Sequence, residues 1–247
     1  MSNEQMTFGT QIIRLTKVDS TNNFAANLIL SGLGKQGTVI LADEQSAGKG
    51  QRGNIWSAET GKNLLSTFLF YPDNLSVQNQ VVLTWAMSLS VWETLAKINI
   101  EATIKWPNDI LVGGKKIAGM LIENQLQGKE ISVSIIGLGL NINQSDFQEL
   151  AATSIFNELG VEFEIDNFLE LLIMEMNRNF ELIQRSDFST LKRKYSEQLF
   201  RLNVESTYSD LNGEFTGKIL GVNEQGQLLV FRNGSVVDYG IKEIKYL

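Results

Sequence analysis

The chain has 247 residues and contains neither cysteine nor histidine. Without cysteine there is no disulfide, no thiolate nucleophile and no cysteine-based zinc or iron–sulfur site. Without histidine there is no Ser-His-Asp triad, no imidazole base and no imidazole metal ligand. Chemistry must run on carboxylates, amines, hydroxyls, backbone N–H groups and whatever the substrates bring. A metal in such a chain would be a hard, oxygen-ligated ion such as Mg²⁺. No apolar run approaches the roughly 18 residues of a membrane span. The start, MSNEQMTFGTQ, has neither the basic end nor the apolar stretch of a signal peptide. Together these absences predict a cytoplasmic protein with no membrane contact. A net charge of −7 argues against a basic DNA-binding surface. Proline occurs only at Pro72 and Pro107, so no proline-rich linker divides the chain.

What is present suits an α+β protein. Hydrophobic residues make up 43%, enough for one large domain, alone or with a small one. A strand is predicted near Ile12–Val18. A helix capped around Ser20 or Thr21 follows, with Phe24, Ala25, Leu28 and Ile29 on one face. A buried strand ends at Asp43, and another reaches Tyr71. Over Ser76–Ile98, Trp85, Leu89, Trp92 and Leu95 recur at helical spacing and read as a core stripe. The runs ATIKW, DILVG, KKIAGMLIEN and ISVSIIGLGLNI then succeed one another with short turns. That implies an antiparallel or mixed sheet, not βαβ alternation. Helices are predicted over about Asp166–Arg185 and Ser189–Leu199. Beyond Arg201, the turn dipeptides Asn212-Gly213, Gln225-Gly226 and Asn233-Gly234 separate short strands, as in a small β-barrel. The expected domains are residues 1–202 and 203–247.

Four segments carry chemistry. In EQSAGKGQRGNIW (Glu44 to Trp56), Gly48, Gly50 and Gly53 permit sharp turns, and Lys49 and Arg52 add positive charge. The loop suits an anion such as phosphate; a solvated surface loop is the alternative. It lacks Walker A spacing. In KWPNDILVGGKKIAG, Pro107 fixes the backbone before Asn108 and Asp109, and the Gly113-Gly114 turn folds Lys115 and Lys116 back toward that pair. Adjacent strand residues face opposite ways, so one lysine points inward near Gly119; solvated lysines with a salt bridge to Asp109 are the alternative. GLGLNIN fails the dinucleotide fingerprint, because Ile142 stands where the third glycine belongs. Its two glycines allow a close approach by another backbone or a ligand, and Asn141 offers an amide. DSTN (Asp19 to Asn22) reads as a helix N-cap. Ser20, Thr21 and Asn22 there can also bind a neutral polar group such as a ureido.

DSTN, EQSAGKGQRGNIW, KWPNDI, KKIAG and GLGLNIN, in this order, resemble the biotin–protein ligases (biotin–[acetyl-CoA-carboxylase] ligases). The resemblance spans nearly the whole chain. It implies a class II synthetase-like mixed β-sheet flanked by helices, with a C-terminal SH3-like β-barrel. It points to the monofunctional type without an N-terminal DNA-binding domain. Two steps are implied. Biotin and MgATP give biotinyl-5′-adenylate, and the biotinyl group then passes to a lysine of a biotin carboxyl carrier domain. The biotin carboxylate is already ionised, so positioning and charge neutralisation suffice. Ser20, Thr21 and Asn22 are implied at the ureido end, with Gln45 nearby. The loop of Gly48, Lys49, Gly50 and Gln51 is implied to close over the carboxylate and phosphate, with Lys116, beside Gly119, and Arg52 as cations. Trp56 is expected to pack on adenine and Asn141 to hydrogen-bond it. Asp109 is expected to orient or deprotonate the carrier lysine. No protein metal ligands are implied, and a homodimer fits the family.

The loop departs from the commoner GRGRRGRxW. Lys49 keeps a charge but not the bidentate geometry of arginine. Gln51 and Asn54 replace two further arginines. Adenylate retention should therefore rest on loop closure and hydrogen bonds more than on charge. Lipoate ligases and octanoyl transferases share the core fold but rely on a histidine-containing motif or a cysteine that this chain lacks. A non-catalytic biotin sensor is the other alternative, against which the intact Lys116 and glycine loop argue.

Overall fold

The two sequence periods, alternating and helical, sort the chain onto a sheet and its two faces. The computed structural model describes residues 7–247, with the Arg52 side chain outside the description. The first six residues of the N-terminal run read above lie outside it as well. Strands β1 (Gln11–Val18) and β2 (Thr38–Gln45) are parallel, which requires a crossover, and α1 (Thr21–Leu30) supplies it. Then come β3 (Leu64–Phe70), α2 (Val81–Lys97), β4 (Thr103–Lys105), β5 (Asp109–Val112), β6 (Lys115–Gln127) and β7 (Glu130–Leu140). The seven strands lie in the order β1-β2-β3-β7-β6-β5-β4, with every pair after the first antiparallel. The sheet is mixed, as the succession of strand runs implied.

All of β3 is buried, because helices cover both faces at the sheet's centre. On one face α1 packs Ala25 against Ile40, Leu69 and Ile135. On the other lie α2, α4 (Ile165–Gln184) and α5 (Phe188–Glu197). Trp85, Leu89 and Leu95 of α2 are buried there, so that stripe is core. Trp92 is half-buried, and its indole N–H donates to the Ala102 carbonyl at 2.8 Å. Sequence periodicity missed α3 (Ile155–Leu159), whose five residues are too short to show a repeat. Its ends carry signals nonetheless: Ser154 caps the start, and Gly160, at φ 73°, ends it in the left-handed region.

A second sheet contains β8 (Glu205–Asp210), β9 (Gly213–Val222), β10 (Leu228–Arg232), β11 (Ser235–Tyr239) and β12 (Lys245–Tyr246). Its order is β11-β10-β9-β8-β12, and all pairs are antiparallel. The expected Asn-Gly and Gln-Gly dipeptides form the turns. One buried cluster runs from Trp106 and Tyr195 into Tyr208, Ile219, Leu228 and Val230, so the second sheet shares a core with the helical face. Among the described residues no helix is long and apolar enough to cross a membrane.

Candidate active site

Three glycines clear the sheet surface beside the start of α1. A methyl on Gly137 would stand 2.4 Å from Asn22 Oδ1, and one on Gly139 would stand 2.3 Å from the Trp56 indole. A methyl on Gly119 would meet Cε and Nζ of Lys116 at 2.8 Å. Bare backbone at these positions of β6 and β7 lets an amide, an indole and an amine lie flat on the sheet. Between them and the glycine-rich loop opens a cavity of about 260 Å³.

The inner wall is polar and uncharged. Ser20, Thr21 and Asn22 are buried and line it. Ser20 occupies the N-cap position of α1 but makes no side-chain capping bond. Gln45 does that work from β2: its Oε1 accepts the Thr21 backbone N–H at 2.8 Å and lies 3.0 Å from the Thr21 hydroxyl. Asn22 is held by Thr67, whose hydroxyl donates to Asn22 Oδ1 at 2.7 Å, and by Glu123, which accepts from Asn22 Nδ2 at 2.7 Å.

The outer wall carries charge. β5 and β6 form a hairpin through Gly113 and Gly114, both at positive φ, with a register shift between Ile110 and Leu111. Lys116 donates its backbone N–H to Ala151 and accepts from Thr153, which fixes its Cα. Its Nζ lies 2.7 Å from Asp109 Oδ1 and 5.5 Å from the centre of the Trp56 ring. Both partners of this ion pair are about one-third exposed, so a ligand anion can compete for the ammonium. Asp109 is set by its neighbours: buried Asn108 donates to the Met120 carbonyl at 2.6 Å, and Tyr195 donates to the Pro107 carbonyl at 2.7 Å. Burial pushes the Tyr195 hydroxyl well above the ordinary tyrosine pKa, so it remains a donor.

The glycine loop closes over the top. The Trp56 N–H bonds the Gly48 carbonyl at 3.0 Å, and the Gly50 N–H bonds the Asn54 carbonyl at 2.7 Å. Lys49 Nζ reaches Asn23 Oδ1 at 2.5 Å, and Asn23 in turn donates to Asp19. The Asn23 amide and nearby backbone N–H groups hold the Asp19 carboxyl below the usual aspartate range, with the Lys49 charge adding to the effect. Such a cavity, cationic at its mouth and neutral at its end, suits an acid with a polar, uncharged tail. No group of three carboxylates among the described residues can hold a metal ion.

The family model for the biotin/lipoate A/B protein ligases matches residues 15–141, more than half the chain. The chain belongs to this family. The bifunctional ligase/repressor BirA of Bacillus subtilis is 29% identical, over 91% of this chain and 69% of that protein. The biotin–[acetyl-CoA-carboxylase] ligase of Paracoccus denitrificans is 28% identical, over 87% of this chain and 92% of that protein. A biotin protein ligase from Aquifex aeolicus, solved with biotin and ATP, superposes with a TM-score of 0.80 at 27% identity. It covers 96% of this chain and 100% of its own.

The family's motifs meet in this one cavity. Its wall contains Ser20, Thr21, Asn22 and Gln45; Lys49, Gly50, Gln51 and Trp56 from the loop; and Asp109, Lys116 and Gly119 from the hairpin. Two expected residues stand apart from the lining. Gly48 lies at the loop's base, where a side chain would strike the Trp56 carbonyl at 2.4 Å. Asn141 is buried, and its amide donates to the Thr153 carbonyl at 2.9 Å; it braces the chain beside Lys116 and does not face the cavity. Gly137 and Gly139 line the cavity, and the groups that approach their bare backbone closely are the protein's own Asn22 and Trp56. Arg52 lies in the turn Gln51–Gly53, and its side chain is outside the described residues. Sequence reasoning missed Thr67 and Glu123, which hold Asn22 from strands far along the chain.

Proposed function

We propose that this chain is a biotin–protein ligase that adenylates biotin with MgATP and then transfers the biotinyl group to a lysine of a biotin carboxyl carrier domain. The observation that carries the reading is the pairing of a neutral polar cavity end with a cationic mouth. A ureido ring offers two N–H donors and a carbonyl, and Ser20, Thr21, Asn22 and Gln45 match it without charge. The dithiolane of lipoate or the alkyl end of octanoate offers that polar wall no hydrogen bond, a basis for rejection.

In the first step a biotin carboxylate oxygen attacks the α-phosphorus of ATP, and pyrophosphate leaves. Lys116 neutralises the carboxylate and phosphate; Lys49 and Arg52 add charge, and Gly50 and Gln51 close the loop. Adenine lies against Trp56, with Asn141 bracing the strand end beneath. Mg²⁺ arrives on the triphosphate as part of the substrate. In the second step the carrier lysine attacks the acyl carbon, and AMP leaves. Asp109, released as Lys116 turns to the ligand, takes or orients the proton of the incoming ammonium. Residues 1–202 form the catalytic unit and 203–247 a second unit. The protein works in the cytoplasm, as a monomer or homodimer, without DNA. The test is incubation with biotin, MgATP and a carrier domain. A biotin mass increment on one carrier lysine supports the reading; an unmodified carrier alongside a biotin-bound protein supports a sensor instead.

A further inference from the structure

A chain of four oxygens runs along the neutral end of the cavity. Gln45 Oε1, Thr21 Oγ1, Thr67 Oγ1 and Asn22 Oδ1 follow one another at 3.0, 2.8 and 2.7 Å. Thr67 is fully buried, and Thr21 and Asn22 are nearly so. Both ends of the chain are carbonyl oxygens, which can only accept. Gln45 Oε1 is fixed in place by the Thr21 backbone N–H, 2.8 Å away. Asn22 Oδ1 is fixed by its own nitrogen: Nδ2 donates to Glu123 Oε2 at 2.7 Å and to the Leu121 carbonyl at 3.4 Å.

Three contacts therefore share two hydroxyl protons. Neither threonine has a proton to spare for a ligand, and the Thr21 N–H and the Asn22 amide protons are already committed. This stretch of wall accepts hydrogen bonds and cannot donate them. Asn22 Oδ1 lies over Gly137 on the cavity lining, where a methyl would stand 2.4 Å from it. Were the Asn22 amide turned over, Nδ2 would donate to Thr67, and three contacts would have three protons. The same turn would set Oδ1 against the Glu123 carboxylate, two acceptors at 2.7 Å. Glu123 is an exposed residue of β6 that meets the wall through Asn22. Its charge holds the amide in the orientation that leaves the chain one proton short.

We propose that Glu123 is a positioning residue that sets the hydrogen-bonding sense of this wall, so that the site takes a ring presenting N–H groups and rejects a ring of the same shape presenting an acceptor. The inference rests on the ligase reading above. An acceptor wall fits the N–H edge of a ureido, and the ureido carbonyl is left to Ser20, whose hydroxyl makes no capping bond. An isostere with oxygen in place of N–H sets lone pair against lone pair in a buried site, which costs more than a contact merely absent.

The test compares biotin with the two cyclic carbamates in which oxygen replaces one ureido N–H. Dissociation constants are measured by titration calorimetry for the wild type, Glu123→Gln and Thr67→Val. The wild type is expected to bind at least one carbamate about a hundredfold more weakly than biotin. Glu123→Gln keeps the shape but lets the amide turn, so the preference should fall to about tenfold or less, with KM for ATP in pyrophosphate exchange unchanged. Thr67→Val loosens Asn22 but leaves the carboxylate, so the preference should stay within about threefold of wild type. An unchanged preference in Glu123→Gln overturns the proposal. So does an equal loss in both variants, which makes the chain a support without a sense, and so does a wild type that binds biotin and both carbamates alike. A wild type that binds no biotin overturns the ligase reading itself.

Discussion

Replacing Gly139 by alanine tests whether bare strand backbone is what seats the indole of Trp56. The new methyl would lie 2.3 Å from Cε2 and 2.7 Å from Cδ2, where ordinary contact is 3.4–4 Å. Inserting a methyl into a clamped site costs about 1–3 kcal/mol. Trp56 is not clamped: its Nε1 has no partner, and the loop is held there by backbone bonds such as Trp56 N–H to Gly48. The loop should give way, so stability falls by about 1 kcal/mol, the lower end of that range. The loss then appears in nucleotide binding. A base stacked on an aromatic ring is worth about 1–3 kcal/mol, so KM for ATP should rise roughly 5- to 150-fold. Biotin-dependent ATP–pyrophosphate exchange measures this directly. Trp56→Ala should show the same rise, and the double variant should be no worse than either single change, because all three lose one stack. Additive losses, or a Gly139→Ala protein with normal KM for ATP, would refute the reasoning.

Lys116→Gln should lower the exchange rate about 10²- to 10³-fold, as loss of one transition-state charge partner does. Its stability should change by less than about 1 kcal/mol in urea unfolding, because both partners of the pair with Asp109 are about one-third exposed; a rate within tenfold of wild type contradicts this. Asp109→Asn should spare exchange and slow single-turnover transfer to the carrier, and equal losses in both steps would deny it a role in the second. The release rate of biotinyl-adenylate should change little between low and high salt, because uncharged Gln51 and Asn54 line the cavity; a steep dependence would restore charge as the retaining force. Burial raises the Glu175 carboxyl, but hydrogen bonds and charge from Lys97 and Arg178 outweigh it and leave its pKa below the ordinary glutamate value. Its stabilisation is full above that ordinary value and fades as pH falls through the lowered one, so Glu175→Gln should flatten the acid side of a stability–pH profile. Parallel profiles would contradict it.

Local chemistry made much of the molecule legible. The stripe through Trp85 and Leu89 had to be core once it was helical, and the Gly113-Gly114 turn had to return Lys116 toward Asp109. Contacts between distant segments were not legible. Thr67 and Glu123 hold Asn22 across 45 and 101 residues, and no spacing rule links such positions. DSTN shows the same limit from the other side. Its sequence is that of a helix cap, yet Gln45, 24 residues away, accepts the Thr21 N–H and Ser20 lines the cavity wall. Asn141 was expected to offer its amide to adenine. In the fold those glycines before it line the cavity, while the Asn141 amide donates to the Thr153 carbonyl.

Pyrophosphate exchange into ATP, run in parallel with biotin, lipoate and octanoate, tests the central claim most directly. The polar cavity end and the Lys116 mouth predict exchange with biotin, none with the other two acids, and its loss in Lys116→Ala. Exchange driven by lipoate and not by biotin would contradict the account.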